Sequence, residues 1–444
     1  MQPVAFHKNI LFVSFNRMRF AYLLIALIAS VAMADKFAIV MGTKDGWGNY
    51  SITSEPCRVW ADLVAAGIKP ENIIMMAYTT DLTSSRNPFP NMIFTDPADN
   101  TDRDWAKSHC FEHIDYTDKD INGDVFLGIL SGDAEKVKEK TGKENPRVLA
   151  AGPEDTVFTY FIDHGNEGII CVGDDYVTDV QLIDALKQAH EKKIYGKWVF
   201  FMEACHSGSM FKDLPADWNI FVMTSSDAHH NANMSNCPPD DYIEDKHFGC
   251  CLSGLWDNSF LDYVEQHPDC TIGEIVDMVH DDVKKTSVQE VSHFGDMTFR
   301  DMKLSEFFGE LPAKHMRATP KASSTSVDLA DVPTHLAMWN AIRADKKDLA
   351  AALKEYQELK FAEAKREVEV MRLGRMLMNE KAADKALKAP AEAFNPACVR
   401  DLSLLLAKKC GHSMPFPEAT NNMLRNICLP GLSVPNVDFN DICM

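Results

Sequence analysis

Two short apolar runs of this chain end in side chains that could do covalent chemistry together. Val157-Phe158-Thr159-Tyr160-Phe161-Ile162 finishes in Asp163-His164-Gly165, and Trp198-Val199-Phe200-Phe201-Met202 finishes in Glu203-Ala204-Cys205-His206-Ser207-Gly208. Buried parallel strands deliver the residues at their carboxyl ends to the sheet edge where ligands bind. The imidazole of His164 and the thiol of Cys205 are therefore expected side by side. A thiol attacks as its thiolate, and a neighbouring imidazole takes its proton or lowers its pKa. Backbone N–H groups at Gly165 and Cys205 could approach a substrate oxygen as an oxyanion hole. Side chains alternate along a strand, so Glu203 projects to the side of Cys205 and can line a pocket beside it. His164, Cys205, His206 and Glu203 could also be read as metal ligands. No Cys-x-x-Cys or His-x-x-x-His pair lies among them, so neither a metal nor a cofactor is expected.

The elements that would position these groups alternate in kind. Phe37 to Met41, Ile73 to Met76, 157–162, 198–202 and Ile220 to Met223 read as buried strands. Helical spacing occupies Ser54 to Ala66, with Ser54 as N-cap and Gly67 as stop, then Asp124 to Leu130 and Asp179 to Lys193. Strands alternating with helices predict a mostly parallel sheet sandwiched by helices. Residues 304–335, rich in Pro, Ser and Thr, read as an exposed linker of the kind proteases cut. An Ala/Lys/Glu/Leu/Arg-rich stretch from Asp345 to about Leu387 favours helix, and shorter helices follow.

With 444 residues there is room for one large domain and a smaller one. Residues 1–34 have the form of a signal peptide: Lys8, Arg17 and Arg19, the apolar run Phe20 to Val31, then Ala32-Met33-Ala34. The run is too short to span a bilayer, and no later segment is longer and equally apolar, so no membrane span is expected once the signal is removed. The secretory route permits disulfides. Of the 12 cysteines, Cys398, Cys410, Cys428 and Cys443 crowd towards the C-terminus as if to staple a small domain, with three possible pairings. The net charge of −20 is uneven: the body from 35 to 311 is strongly acidic and the remainder weakly basic. That argues against nucleic acid as a partner and for attraction between body and tail. Asn233-Met234-Ser235 is a glycosylation sequon, with Asn233 as the acceptor.

The paired His164 and Cys205 segments resemble the motifs of the legumains, the asparaginyl endopeptidases of the caspase-like cysteine peptidases. So do Gly46-Trp47-Gly48-Asn49-Tyr50 and Leu127 to Glu135 upstream, and Cys410-Gly411-His412-Ser413 with Pro417-Glu418-Ala419 downstream. The resemblance implies a caspase-like peptidase domain over 35–303, a linker and activation segment over 304–350, and an all-α disulfide-linked prodomain over 351–444. It implies His164 as catalytic imidazole, Cys205 as nucleophile, and Asn49 as the group orienting His164. Cys398 would pair with Cys428 and Cys410 with Cys443. The activity implied is peptide hydrolysis after Asn, then Asp, with transpeptidation possible, in a lysosomal, vacuolar or secreted zymogen whose tail keeps it latent until acid releases it. Substrates would be proteins and peptides, and inhibitors of the cystatin type would bind it. Asn340 and Asp345 are candidate processing sites. The substrate pocket departs from the family: Ser51 stands where legumains carry Arg, and Cys250 after Gly249 stands where they carry Asp.

Overall fold

The computed structural model describes residues 34–99, 104–312, 326–378, 393–429 and 442–443, with residues 381, 383 and 391. The signal-peptide segment, apart from Ala34, and residues 313–325 lie outside these. No described helix is long and apolar enough to cross a membrane.

Six strands build the main sheet: β1 Lys36–Gly42, β2 Ile73–Met76, β3 Thr156–Ile162, β4 Lys197–Glu203, β5 Ile220–Thr224 and β6 Ser292–Gly295. Their order is β6-β5-β4-β3-β1-β2. All neighbours run parallel except β6, which is antiparallel to β5. The interior strands are apolar on both faces because both faces are covered. Helices α1 Tyr50–Ala65, α2 Gly123–Leu130, α3 Ala134–Thr141, α4 Asp179–Lys192, α5 Leu255–Gln266 and α6 Ile272–Val283 cover them. One core joins Tyr160, Val199, Phe201 and Phe221 to Trp60, Trp256, Phe260 and Ile275 from α1, α5 and α6. The other joins Phe161, Trp198, Phe200 and Val222 to Phe126, Val137 and Leu186 from α2, α3 and α4. The fold is thus the expected sheet sandwiched by helices.

Four longer helices follow in the C-terminal part: α7 Val332–Arg343, α8 Leu349–Leu377, α9 Pro396–Cys410 and α10 Glu418–Ile427. Val370, Leu373, Val399, Leu402, Met423 and Leu424 form a third core from α8, α9 and α10, which extends to Ile169 and Cys171 of the peptide following β3. Disulfides join Cys398 to Cys428 and Cys410 to Cys443, and also Cys57 to Cys110 and Cys237 to Cys251, pairs that sequence left unassigned.

Several local expectations are corrected. Helix α1 begins at Tyr50, so Ser54 lies inside it and donates to Ser51 O and Leu252 O. Tertiary packing overrides the local start signal: Tyr50 is fully buried and its hydroxyl accepts from Phe94 N. Thr178 caps α4 through a reciprocal capping box with Gln181. The stretch read as linker is in part ordered. Ser326–Asp328 forms a strand antiparallel to Asn233–Ser235, and α7 follows. Asn340 therefore sits within a helix, whereas Asp345 is exposed in the turn before α8.

A buried ion cluster ties α1 to α5. Arg58, wholly buried, donates to Asp262 at 2.6 Å, Glu265 at 2.8 Å and Asn258 at 2.9 Å. Removing one partner from a buried pair costs about 3–5 kcal/mol. Arg58→Met is expected to lower unfolding stability by that amount, read from the denaturant midpoint at unchanged m-value.

Candidate active site

Residues at the carboxyl edge of the sheet come together because β3 and β4 keep register to their last residues, Ile162 opposite Glu203. The ladder continues one step further, Asp163 N donating to Glu203 O at 3.2 Å. Beyond it the two chains touch. A Cβ on Gly165 would lie 2.5 Å from the Cys205 carbonyl oxygen, so no larger residue fits there without moving the Cys205 segment. His164 and Cys205 thus leave adjacent strand ends, and the Gly165 and Cys205 peptides share the same edge.

The ring of His164 is held from one side. Its Nε2 lies 2.9 Å from Asn49 Oδ1, while Asn49 Nδ2 donates to Asp45 O at 2.8 Å. Only the amide nitrogen can donate to a carbonyl, so the amide oxygen faces the ring, Nε2 carries the proton and Nδ1 keeps its lone pair. Nδ1 is buried and has no hydrogen-bond partner, which leaves it available to a proton donor. Asn49 occupies the N-cap position of α1 yet makes no cap bond, because its side chain serves the imidazole instead. Behind the ring, Asp163 is buried, accepts from Thr43 and from His164 N, and is pushed up to about 7 by burial.

Cys205 is wholly buried and accepts from Ala232 N at 3.3 Å. Burial first, and then the negative charge of Asp328, pushes its thiol up, and the Ala232 N–H partly offsets this. Burial, reinforced by Lys44, holds His164 down at about 4. Both groups are therefore neutral at pH 7 in this state, a thiol and an unprotonated imidazole leaving adjacent strands with no hydrogen bond between them. His206, next in the chain, takes left-handed backbone angles (φ 55°, ψ 24°) that turn the peptide sharply after the thiol.

C-terminal segments pack against the loops that surround the thiol. Asp328, ending the strand paired to Asn233–Ser235, accepts from Asn231 Nδ2 at 3.0 Å, and Leu329 N donates to Ala232 O. From α10, Asn421 Nδ2 lies 2.9 Å from His206 Nε2. Arg425 of the same helix donates to Glu167 at 2.9 Å and to His229 O at 3.1 Å. From α9, Arg400 lies across Gly168 and pairs with Asp179, and Ser403 accepts from Asn166. The loops following His164 and Cys205 are both clamped by the tail. Asp328, Asn421 and Arg425 were not singled out from sequence, since each is an ordinary polar residue until the tail folds back.

The remaining expected residues are placed as follows. Glu203 is buried within reach of Asp257, Ser225 and Glu55. Cys250 sits instead among Asp241, Asp81 and Tyr50, so the acid beside Glu203 is Asp257, which sequence reading missed. Asp257 lies in the first turn of α5, where an acid needs no function to explain it. Ser51 is buried in the first turn of α1 and supplies no positive charge. Asn233 is 8 % exposed, lies between two strands and donates to Ser326, so in this state it has no room for a glycan. Glu369, Cys410 and His412 bring possible metal-ligating atoms together, but the sulfur is committed to the bond with Cys443.

Residues 36–310 match the Peptidase C13 family. The chain is 28 % identical over 409 residues to a hemoglobinase of Schistosoma japonicum, covering 91 % of each. It is 27 % identical over 435 residues to a vacuolar-processing enzyme of Phaseolus vulgaris, covering 91 % of this chain and 84 % of that one. It is 30 % identical over 301 residues to legumain of Mus musculus, covering 67 % and 64 %. A solved caspase-1 chain from Spodoptera frugiperda covers 59 % of this chain at 10 % identity and a TM-score of 0.33. With the family matched over most of its length, this chain belongs to the Peptidase C13 family and is a cysteine endopeptidase of the legumain type.

Proposed function

We propose that this endopeptidase is made latent, is released in acid, and cleaves after a polar P1 residue, Asn first and Asp second. Cys205 attacks the scissile carbonyl, His164 Nδ1 takes its proton and returns it to the leaving amine, and the resulting acyl-enzyme is hydrolysed. Attack by an amine in place of water gives transpeptidation. The Gly165 and Cys205 amides receive the oxyanion. The observation that carries this reading is the imidazole whose Nε2 is fixed by Asn49 and whose Nδ1 is unpartnered, leaving the strand end next to that of Cys205. The tail is the inhibitor: it supplies a strand where a substrate would lie and holds the thiol neutral and buried. A secretory route to an acidic vacuole or lysosome fits this chemistry and the name of the bean relative. Asp345, exposed between two helices, remains the better of the two processing sites.

The acid trigger lies in buried imidazoles rather than in the overall charge of body and tail. His206 is held down at about 3 against an ordinary 6.5, by burial first and then by Arg425. Asp227 and His229 also bear on it, and Asn421 contacts its ring. A lowered imidazole pKa means that the closed form is favoured above pH 6.5 and loses stability as pH falls towards 3, because the open form gains the proton. His164 and His229 are displaced in the same direction. Glu167 and Asp328, each raised to about 6 by burial, act oppositely, since the closed form takes up their protons below pH 6. Glu418 and Asp331, also raised by burial, act in the same sense as those two acids, but His206 is displaced farthest of the groups that touch the tail, and its ring carries the proposed trigger.

Two outcomes are expected. Acid-treated protein cleaves a peptide library varied at P1 with Asn preferred, and Cys205→Ser abolishes cleavage; a Ser variant as active as the parent would reject the mechanism. Keeping His206 neutral two pH units below its ordinary value costs about 2.7 kcal/mol, roughly 100-fold in the closed-to-open equilibrium. His206→Gln is therefore expected to shrink the ratio of maturation rates at pH 4.5 and pH 7 by at least about 10-fold, measured by gel densitometry of the precursor band.

A further inference from the structure

Beside the nucleophile lies an acid pair for which the peptidase mechanism has no use. Along β4 and the turn after it, Val199, Phe201 and Cys205 belong to one core, while Phe200, Met202 and Ala204 belong to the other, so Glu203 points to the side of Cys205. Its carboxyl group is buried, and no donor meets either oxygen with hydrogen-bond geometry, although Ser225 lies close enough to favour the charged form slightly. Asp257 is likewise buried: Oδ1 accepts from Tyr160 at 2.6 Å, and Oδ2 has no partner. The two acids flank one spot. A Cβ on Gly254 would lie 1.9 Å from Asp257 Oδ2 and 3.5 Å from Glu203 Oε1, and the residue there has none. Three orphaned buried oxygens beside a nucleophile point to a ligand group that satisfies them.

The charge around them decides what that group is. The nearest cation, Arg58, is committed to Asp262, Glu265 and Asn258, and Glu55 adds further negative potential. Two carboxylates this close, with no cation of their own, cannot both ionise in acid, and their last proton leaves only towards neutral pH. We infer that Glu203 and Asp257 share one proton and together grip the carboxamide of a P1 asparagine, the ionised oxygen accepting its N–H and the remaining O–H donating to its carbonyl. The pair offers one acceptor and one donor, which is the complement of a primary amide. It does so without the positive side chain that Ser51 fails to supply. This deepens the proposed asparaginyl specificity and rests on it. Asp257 becomes a specificity-determining residue, and the selectivity itself becomes dependent on pH.

The test compares kcat/KM for peptides with P1 Asn, Ala or Lys between pH 5 and pH 7.5, using acid-matured enzyme. Dividing the Asn value by the Ala value cancels the titration of the catalytic groups. In the parent the Asn-to-Ala ratio is expected to fall at least tenfold as the shared proton is lost, while the Lys-to-Ala ratio rises. Asp257→Asn, which keeps a donor that does not titrate, is expected to make the Asn-to-Ala ratio independent of pH, and Glu203→Gln is expected to lower it throughout. An Asn-to-Ala ratio in the parent that does not change with pH, or one that Asp257→Asn leaves as steep as before, overturns the shared proton and needs no comparison of folding. Lys preferred over Asn at pH 5 overturns the amide grip and leaves the peptidase intact. No cleavage at any P1 residue overturns the peptidase reading and the pair's role with it.

Discussion

The register between β3 and β4 is the constraint on which the rest of this molecule depends. Strand ends one residue out of step would move His164 by about 3.3 Å along the sheet and turn its side chain to the other face. Ile162 opposite Glu203 prevents this, and the close approach of Gly165 to the Cys205 carbonyl pins the chain just past the ladder. The two apolar cores hold that register from both faces, which is why the strands are nearly continuous runs of large side chains.

This part of the molecule was legible in the sequence because it is local. Apolar runs ending in reactive side chains announce both the strands and their catalytic edge, and the alternation of elements announces the layers. Residues whose positions depend on distant partners were less legible. Asn49 emerged only through family resemblance, since a polar residue before a helix is ordinarily a cap. Helix α1 starts four residues before its apparent cap because Tyr50 packs into the core. Asn233 reads as a sugar acceptor until a strand from almost a hundred residues later lies against it. Cys250 was matched by counting along a loop whose path no pattern predicts, and the acid beside Glu203 comes from α5 instead.

The tail bears on the chemistry of the residues it touches, through Asp328 on Cys205 and through Asn421 and Arg425 on His206. Burial raises the thiol and lowers three imidazoles, so the groups that would form a reactive ion pair are held neutral in this state. The proposed latency and acid release would share one physical origin, the cost of charging a buried group.

The strand Ser326–Asp328 adds a further consequence, because it belongs to the same polypeptide as the sheet edge it occupies. A tethered segment competes at an effective concentration in the millimolar range, independent of how dilute the protein is. A cut at Asp345 would leave that segment tethered, whereas a cut ahead of Ser326 would make it a free ligand, whose hold weakens each time the surrounding volume grows. A crowded vesicle would keep molecules nicked there closed that an open fluid would let go, so dilution would add to the proposed release.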